Sequence, residues 1–445
     1  MLKENRVDKI INNLIASGSD INELKKVRNK ALELVNKDRS LNETMEDVGT
    51  SIKDNTEEFL YDTNKDGVRY IEGISTNVYV ADFDKGDSSI SVIGGKIKRD
   101  NPSLLGYRII DNDTLFDVAS ITKLYTLIYA YTVETIGLDL NTQVGMIDSR
   151  YNLEDFTIND LIRLCGEIIT DGRVNDAKNR DEAYAILRTA CLKSNSRLEN
   201  KYTDIGAMII ADVVTRWLNN RYNTHYTFEK WINDLVFEPM NLKNTMYNPN
   251  NMNITGNGNN RGVHDPKAKA FGGVAGHAGI FTNSSDLQKL ARGIFAVNNF
   301  ARNKMNGRLH LTREQIARFG EITFPNAKQS NKGNLGLYVK HPLGFDKTFT
   351  PSAFSTGSFS HQGWTGALAT FDPNNQIHQS ILVNAIYESD DKDKVRNDKP
   401  IGYGGRFNKY LATITDDTMI MYIAKKYYDT YINKNNMDNS ITFKI

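Results

Sequence analysis

Cysteine is nearly absent: Cys165 and Cys191 are the only two in 445 residues. Two thiols cannot build a disulfide framework, and both are expected to be reduced and buried. The chain also lacks an excess of either charge. Its 55 Lys and Arg stand against 54 Asp and Glu, a formal net charge of +1, which removes the case for nucleic acid or an anionic membrane surface as partner. No run is apolar for long enough to span a bilayer. The first residues, Met1 to Lys9, are charged and amphipathic where a secretory signal has an apolar core. As it stands the chain is expected in the cytoplasm, or outside the cytoplasm if its N-terminus is truncated. No tandem repeat is present, and the length exceeds that of one compact domain.

Two helical patterns occupy residues 5 to 36. Val7, Ile10, Ile11, Leu14 and Ile15 share one face, and Ile21, Leu24, Val27, Leu32 and Val35 another, with Gly18-Ser19-Asp20 between them as break and cap. Residues 1–60 therefore read as a helical extension that packs on the body of the protein or on a partner. Asp62-Thr63-Asn64-Lys65-Asp66-Gly67 matches the first half of a calcium loop. Its twelfth position is Gly73, and Glu72 falls one place early, so a polar turn into a strand is the better reading.

From Ile74 the pattern alternates. Thr76, Val78 and Val80 mark one strand face, and Ile90 and Val92 a second strand after the Asp84-Lys85-Gly86-Asp87 turn. Ala367 to Phe371 and Ser380 to Tyr387 read as two more strands, joined through Asp372-Pro373-Asn374-Asn375, and a helical pattern from Asp416 to Asn433 closes the chain. Between these ends the periodic segments are mostly helical: Ile158 to Cys165, Glu182 to Cys191, Phe228 to Leu235 and Ser285 to Ala296. The Asn-rich stretch from Asn248 to Asn260 reads as a surface loop. The expected architecture is α/β of the α+β type. A discontinuous sheet lobe (61–140 and 300–445) is interrupted by a mostly helical lobe (141–299).

Ser120-Ile121-Thr122-Lys123 stands ahead of an apolar run through Thr126, Leu127, Ile128, Ala130 and Val133, which predicts a helix starting at the serine. Residues three apart share a helix face, so the Lys123 ammonium can reach the Ser120 hydroxyl. The first turn adds unpaired N–H groups and the positive end of the helix dipole. Together these suit a serine nucleophile. Such a pattern arises by chance about once or twice in a chain this long, and alone it reads as an ordinary buried helix. Two further stretches follow in order: Lys201-Tyr202-Thr203-Asp204-Ile205-Gly206, ahead of the apolar segment Ala207 to Val214, and Ser360-His361-Gln362-Gly363-Trp364-Thr365-Gly366.

Serine-x-x-lysine, tyrosine-x-polar and a basic residue before x-Gly, in that order, resemble the motifs of penicillin-recognising serine hydrolases. Tyrosine in the second and histidine in the third resemble the branch of class C β-lactamases, D-alanyl-D-alanine carboxypeptidases and related esterases (peptidase S12-like). The segment from Leu235 to Met246, with Phe237-Glu238-Pro239-Met240, and the glycine-rich stretch from Gly262 through Gly276-His277-Ala278-Gly279 look like further parts of that family. The similarity runs from about residue 74 to residue 390. The family's fold, a central antiparallel sheet flanked by helices beside a mostly helical region, has the plan derived above.

The resemblance implies that Ser120 attacks a carbonyl and forms an acyl-enzyme, with no cofactor and no metal. Tyr202, beside the Lys123 ammonium, would take the serine proton and pass it to the leaving group. His361 would begin an edge strand lining the cleft and orient Tyr202 or the substrate. The backbone N–H groups of Ser120 and Trp364 would form the oxyanion hole, Gly363 would admit close approach of backbone and substrate, and the Trp364 indole would be a cleft wall. The bland alternatives are a core tyrosine at 202 and a surface histidine at 361.

Asp204 departs from the family, which more often has asparagine there. A carboxylate only accepts hydrogen bonds; it should favour protonated Lys123 and oppose negative charge on the Tyr202 oxygen, so amide-bearing β-lactams are expected to be handled poorly. Leu164-Cys165-Gly166-Glu167 replaces the His-Thr-Ser-Gly of many relatives. Cys165 has no histidine close in sequence and reads as a buried structural thiol. His264 and His277 fit no zinc spacing, and the glycines around His277 point to tight backbone packing. The expected activity is cleavage of a small-molecule or peptide amide or ester, esterase-like or D-amino-acid-peptidase-like. A catalytically inactive binding protein on this fold and a true β-lactamase are the alternatives. Oligomeric state stays open.

Overall fold

The structure is a computed structural model that describes residues 1–63, 71–98, 107–153, 155–193, 201–249, 254–255, 262–299, 307–323, 333–340, 349–384, 405–432 and 438–445. Residues 64–70 of the calcium-loop-like stretch lie outside this set, as do 385–387 of the expected last strand. Among the described residues no helix is long and apolar enough to cross a membrane.

An eight-stranded sheet organises the chain. Its order is Tyr338–Val339, Phe359–Gln362, Leu368–Asp372, Ile377–Val383, β1 (Gly73–Val80), β2 (Ser88–Lys98) and Asn439–Lys444, with β3 (Tyr107–Ile109) also pairing β2. Antiparallel pairing of β1 with Ile377–Val383, from Ile74↔Val383 to Val80↔Ile377, joins the early and late parts of the chain. The sheet is not wholly antiparallel. Asn439–Lys444 follows the last helix, where no strand was expected, and runs parallel to β2.

Period-two alternation gives the sheet two covered faces. Ile74, Val78, Val80, Ile90, Val92, Ile381 and Val383 face α1 (Leu2–Ala16), α2 (Ile21–Asn36), α3 (Leu41–Tyr61) and the helix Gly405–Tyr431 in one core. Tyr79, Ile93, Ala369, Phe371 and Leu382 belong to the other core, with α4 (Thr122–Thr135) and the intervening helices. The extension thus packs on the body. Asp20 caps α2 by accepting from Asn22 and Glu23. α3, outside the two helical patterns read above, starts at a Ser40/Glu43 capping box and buries Leu41, Met45, Val48 and Ile52.

The middle of the chain is mostly helical, but it also carries a small four-stranded sheet built on β4 (Leu115–Asp117). One of its strands, Ile254–Thr255, lies within the expected Asn-rich loop and pairs parallel with β4. Burial of Ile254 explains why that stretch is not all surface. Cys165 and Cys191 are half-buried rather than buried, because both sit where short segments meet at the edge of the helical core.

Candidate active site

β4 runs into a 3-10 turn, Ala119–Ile121, and the α-helix begins two residues after Ser120 rather than at it. Asp117 causes this: its Oδ1 accepts the Ala119 N–H at 2.8 Å, and Ala119 adopts a left-handed backbone with φ 44°. That conformation costs a non-glycine residue about 1–2 kcal/mol. The turn keeps three-residue spacing on one face, and Lys123 Nζ donates to Ser120 Oγ at 3.0 Å.

Lys123 is wholly buried, at 0% exposure. Its ammonium also donates to the His277 carbonyl at 3.2 Å, meets Asp204 Oδ1 at 2.8 Å and lies 4.9 Å from the Tyr202 ring centre. Burial alone would lower its pKa. The charge of Asp204 and the nearby Tyr202 oxygen outweigh burial and hold it above the ordinary lysine value. Lys123 is therefore a fixed cation at neutral pH.

Asp204 opens the helix Asp204–Tyr222, which Thr203 caps by accepting from the Ile205 N–H. The carboxylate bridges two ammoniums, Lys123 at 2.8 Å and Lys267 at 2.9 Å. Burial would raise its pKa, but Lys123, then His277 and Lys267, pull it well below the carboxylate range. Asp204, Asp265 and His277 bring ligand-type atoms within 4.8 Å of one another. Each group here has a protein partner: Asp204 carries Lys123 and Lys267, and His277 Nε2 lies 2.9 Å from Asp265 Oδ1.

Tyr202 is 36% exposed, and its ring lies against Gly336, where a Cβ would sit 2.3 Å from Cε2. The preceding carbonyl, of Leu335, is 3.3 Å from His361 Nε2, while His361 Nδ1 is 3.0 Å from the Gln362 carbonyl. His361 is thus buried, at 2% exposure, and connects to Tyr202 through the Leu335–Gly336 backbone. It is the third residue of its strand, not the first. The edge strand Tyr338–Val339 covers Ser360 and Phe359 and stops short of it.

The turn after that strand is fastened to the Asp117-Val118 backbone that leads into the serine turn. Gly366 N donates to the Gly363 carbonyl at 3.0 Å and Gly363 N to the Ala367 carbonyl at 2.7 Å. Thr365 Oγ1 donates to the Asp117 carbonyl at 2.6 Å. A Cβ on Gly363 would lie 2.4 Å from the Val118 carbonyl oxygen, so only glycine permits this contact. Trp364, 49% exposed, is thereby held beside the Ser120 turn. Ser120, Lys123, Tyr202 and Asp204 form one cluster with this turn alongside.

A family model described as Beta-lactamase matches residues 77–401. The chain belongs to the beta-lactamase family. Among curated proteins it is similar to the "Putative D-alanyl-D-alanine carboxypeptidase" of Salmonella gallinarum, 23% identical over 332 residues that cover 64% of this chain and 73% of that protein. Among solved structures it is similar to a class C beta-lactamase in complex with cefoxitin, with TM-score 0.56, 16% identity and coverage of 83% of this chain and 98% of that one. It is also similar to the octameric penicillin-binding protein homologue from Pyrococcus abyssi, with TM-score 0.52, 16% identity and coverage of 76% and 73%. At these identities the structures share a fold.

Within this beta-lactamase family member, several supporting residues escape sequence reasoning. Asp117 is a hub: besides Ala119 and Thr365 it holds the His264 N–H through Oδ2 at 2.7 Å. Burial pushes its carboxyl up to about 6, and the two N–H bonds only partly oppose this. His264 is pushed down to about 4 by burial. The glycine-rich stretch wedges between two helices: the Gly276 carbonyl accepts from Thr126 Oγ1 at 2.6 Å, and a Cβ on Gly276 would meet the Ala207 carbonyl at 2.2 Å. His277 Nε2 lies 2.9 Å from Asp265. The departing segment around Cys165 supports Tyr202 from below, with the Leu164 carbonyl accepting the Lys201 N–H at 3.2 Å and Glu167 paired to Lys201 at 2.7 Å. Asp117 had a local signal, an Asp placed to bond the backbone two residues on. Lys267 had none.

Proposed function

We propose that this protein is a serine hydrolase that cleaves a small-molecule or peptide amide or ester through a covalent acyl-enzyme on Ser120. The observation that carries the reading is the Lys123 ammonium at 3.0 Å from Ser120 Oγ, with Asp204 keeping it charged. A permanently protonated lysine cannot act as general base, so that role falls to Tyr202. In the acylation step Ser120 Oγ bonds to the carbonyl carbon and its proton passes through Tyr202 to the leaving group as the old bond breaks. The oxyanion would take N–H bonds from Ser120 and Trp364, each donor typically contributing about 2.7–4 kcal/mol. Water then returns the acyl group as an acid.

Asp204 argues for an esterase-like or D-amino-acid-peptidase-like activity over β-lactam hydrolysis. Its oxygens are already engaged by Lys123 and Lys267, and it has no N–H to offer a substrate amide carbonyl. A fluorophosphonate probe and a fluorescent penicillin test the reading together. Labelling that disappears in Ser120→Ala supports the enzyme; a folded protein that takes up neither probe would be a binding scaffold.

A further inference from the structure

The helical middle of the chain carries a polar cavity that is not lined by the serine cluster. It measures about 610 Å³ and lies between the helix Arg180–Arg188 and the later turns of Asp204–Tyr222, a volume in the range of small-ligand sites. Helical spacing builds it. Arg180, Tyr184 and Arg188 recur every four residues on one helix, Asp212 and Arg216 do so on the other, and Arg150 enters from a neighbouring segment.

Four guanidiniums here face two carboxylates. Asp148 binds Arg150 and lies 3.7 Å from Arg216. Asp212 lies 3.7 Å from Arg188 and accepts from the Tyr151 hydroxyl at 2.8 Å. Arg180 has no carboxylate within ion-pair distance among the described residues. Instead it and Arg188 flank the Tyr184 ring, their Cζ atoms 5.7 and 5.1 Å from its centre. Glu229 feels the charge of Arg180 without pairing to it, and burial raises its pKa. Counting Glu229 as ionised still leaves the cavity positive. Arg188 Nε is buried with no hydrogen-bond partner among the described residues, a state that native structures seldom leave without a cause. The whole chain has a formal charge of only +1, so this concentration is local.

We infer that the cavity binds a small phosphorylated molecule, with Arg180 and Arg188 as the principal phosphate ligands. Planar guanidinium forks match phosphate oxygens two at a time. A single carboxylate would compete poorly with Asp148 and Asp212, which already occupy three of the arginines, whereas a dianion carries enough charge to engage Arg180 and draw on Arg188. The ring of Tyr184, fixed edge-on against Phe271 at 4.9 Å, gives the pair a rigid base.

Isothermal titration of the full chain with pyrophosphate, and with citrate as a carboxylate comparator, tests this. The expected result is saturable binding of one pyrophosphate, weakened at least about tenfold by Arg180→Ala, partly restored by Arg180→Lys and unaltered by Ser120→Ala. Because Arg180 makes no ion pair among the described residues, the unliganded Arg180→Ala variant should melt with the wild type. Absence of saturable binding, equal affinity in Arg180→Ala, or citrate binding as tightly as pyrophosphate would each overturn the assignment.

Discussion

Around Lys123 and Asp117 two carboxylates, the half-buried Asp204 and the buried Asp117, shift in opposite directions, and the pH dependence of the protein follows from their signs. Asp204 is held below its usual range by the lysines; its stabilising contribution is complete above the unfolded carboxylate value, about 3.9, and is lost as pH falls through the lower folded value. Asp204→Asn should therefore lose stability at neutral pH, about 3 kcal/mol for one partner removed from a buried pair, and show a shallower acid limb in thermal melts. The same variant gains an N–H donor. The ratio of penicillin acylation rate to ester kcat/KM should rise about tenfold, and an unchanged ratio would remove Asp204 as the specificity determinant. Asp117 behaves conversely: with its carboxyl at about 6, stability is greatest below the unfolded value and declines as pH rises through 6, by an amount on the order of 3 kcal/mol. Asp117→Asn should abolish that decline between pH 4 and 7, and a melting profile with the wild-type slope would contradict the assignment. Asp204 itself was legible, since it breaks a motif. The second lysine that sets its charge, Lys267, comes from the distant short helix Pro266–Ala270 and leaves no local pattern.

The elements that sequence periodicity marks well are those with a single covered face and several turns or alternations, such as α1, α2 and β1. Those it marks poorly have physical reasons. In α3 the apolar series is interrupted by Gly49, Asn55 and Thr56, and the capping box at Ser40 is its best local sign. The strands Met246–Tyr247, Ile254–Thr255 and Ile280–Thr282 are two or three residues long, too short for a period of two to show. His361 lies inside its strand rather than at its start because strand ends depend on the neighbour, here Tyr338–Val339, which stops before it. Gly363 is the element-scale feature that the sequence anticipates best. Gly363→Ala would drive a Cβ into the Val118 carbonyl and displace the turn that carries Trp364. The expected loss is about 100-fold in ester kcat/KM, with destabilisation of about 1–3 kcal/mol. Wild-type turnover in this variant would dissociate the turn from the reaction.

Across the whole molecule, the sheet is held between two cores, one made by the helical middle and one by α1–α3 with the helix Gly405–Tyr431. The first 60 residues therefore form part of a sheet face. Side chains such as Val7, Leu14, Leu24, Val27, Ile52 and Leu60 are buried there, at about 1.5–3 kcal/mol each when fully covered. A chain beginning at Ile71 should lose cooperative unfolding and bind a hydrophobic dye; an intact melting transition would show the extension to be dispensable. The large plan was legible because strand alternation marks both ends of the chain and helical periodicity its middle, and the pairing of β1 with Ile377–Val383 joins those ends. The most direct measurement is intact-mass analysis with peptide mapping after exposure to a panel of esters, D-amino-acid amides and β-lactams. We predict an acyl adduct on the peptide carrying Ser120, strongest with esters or D-amino-acid amides and absent in Ser120→Ala. A folded protein that acquires no adduct from any of them, or acquires it on another residue, would contradict the account.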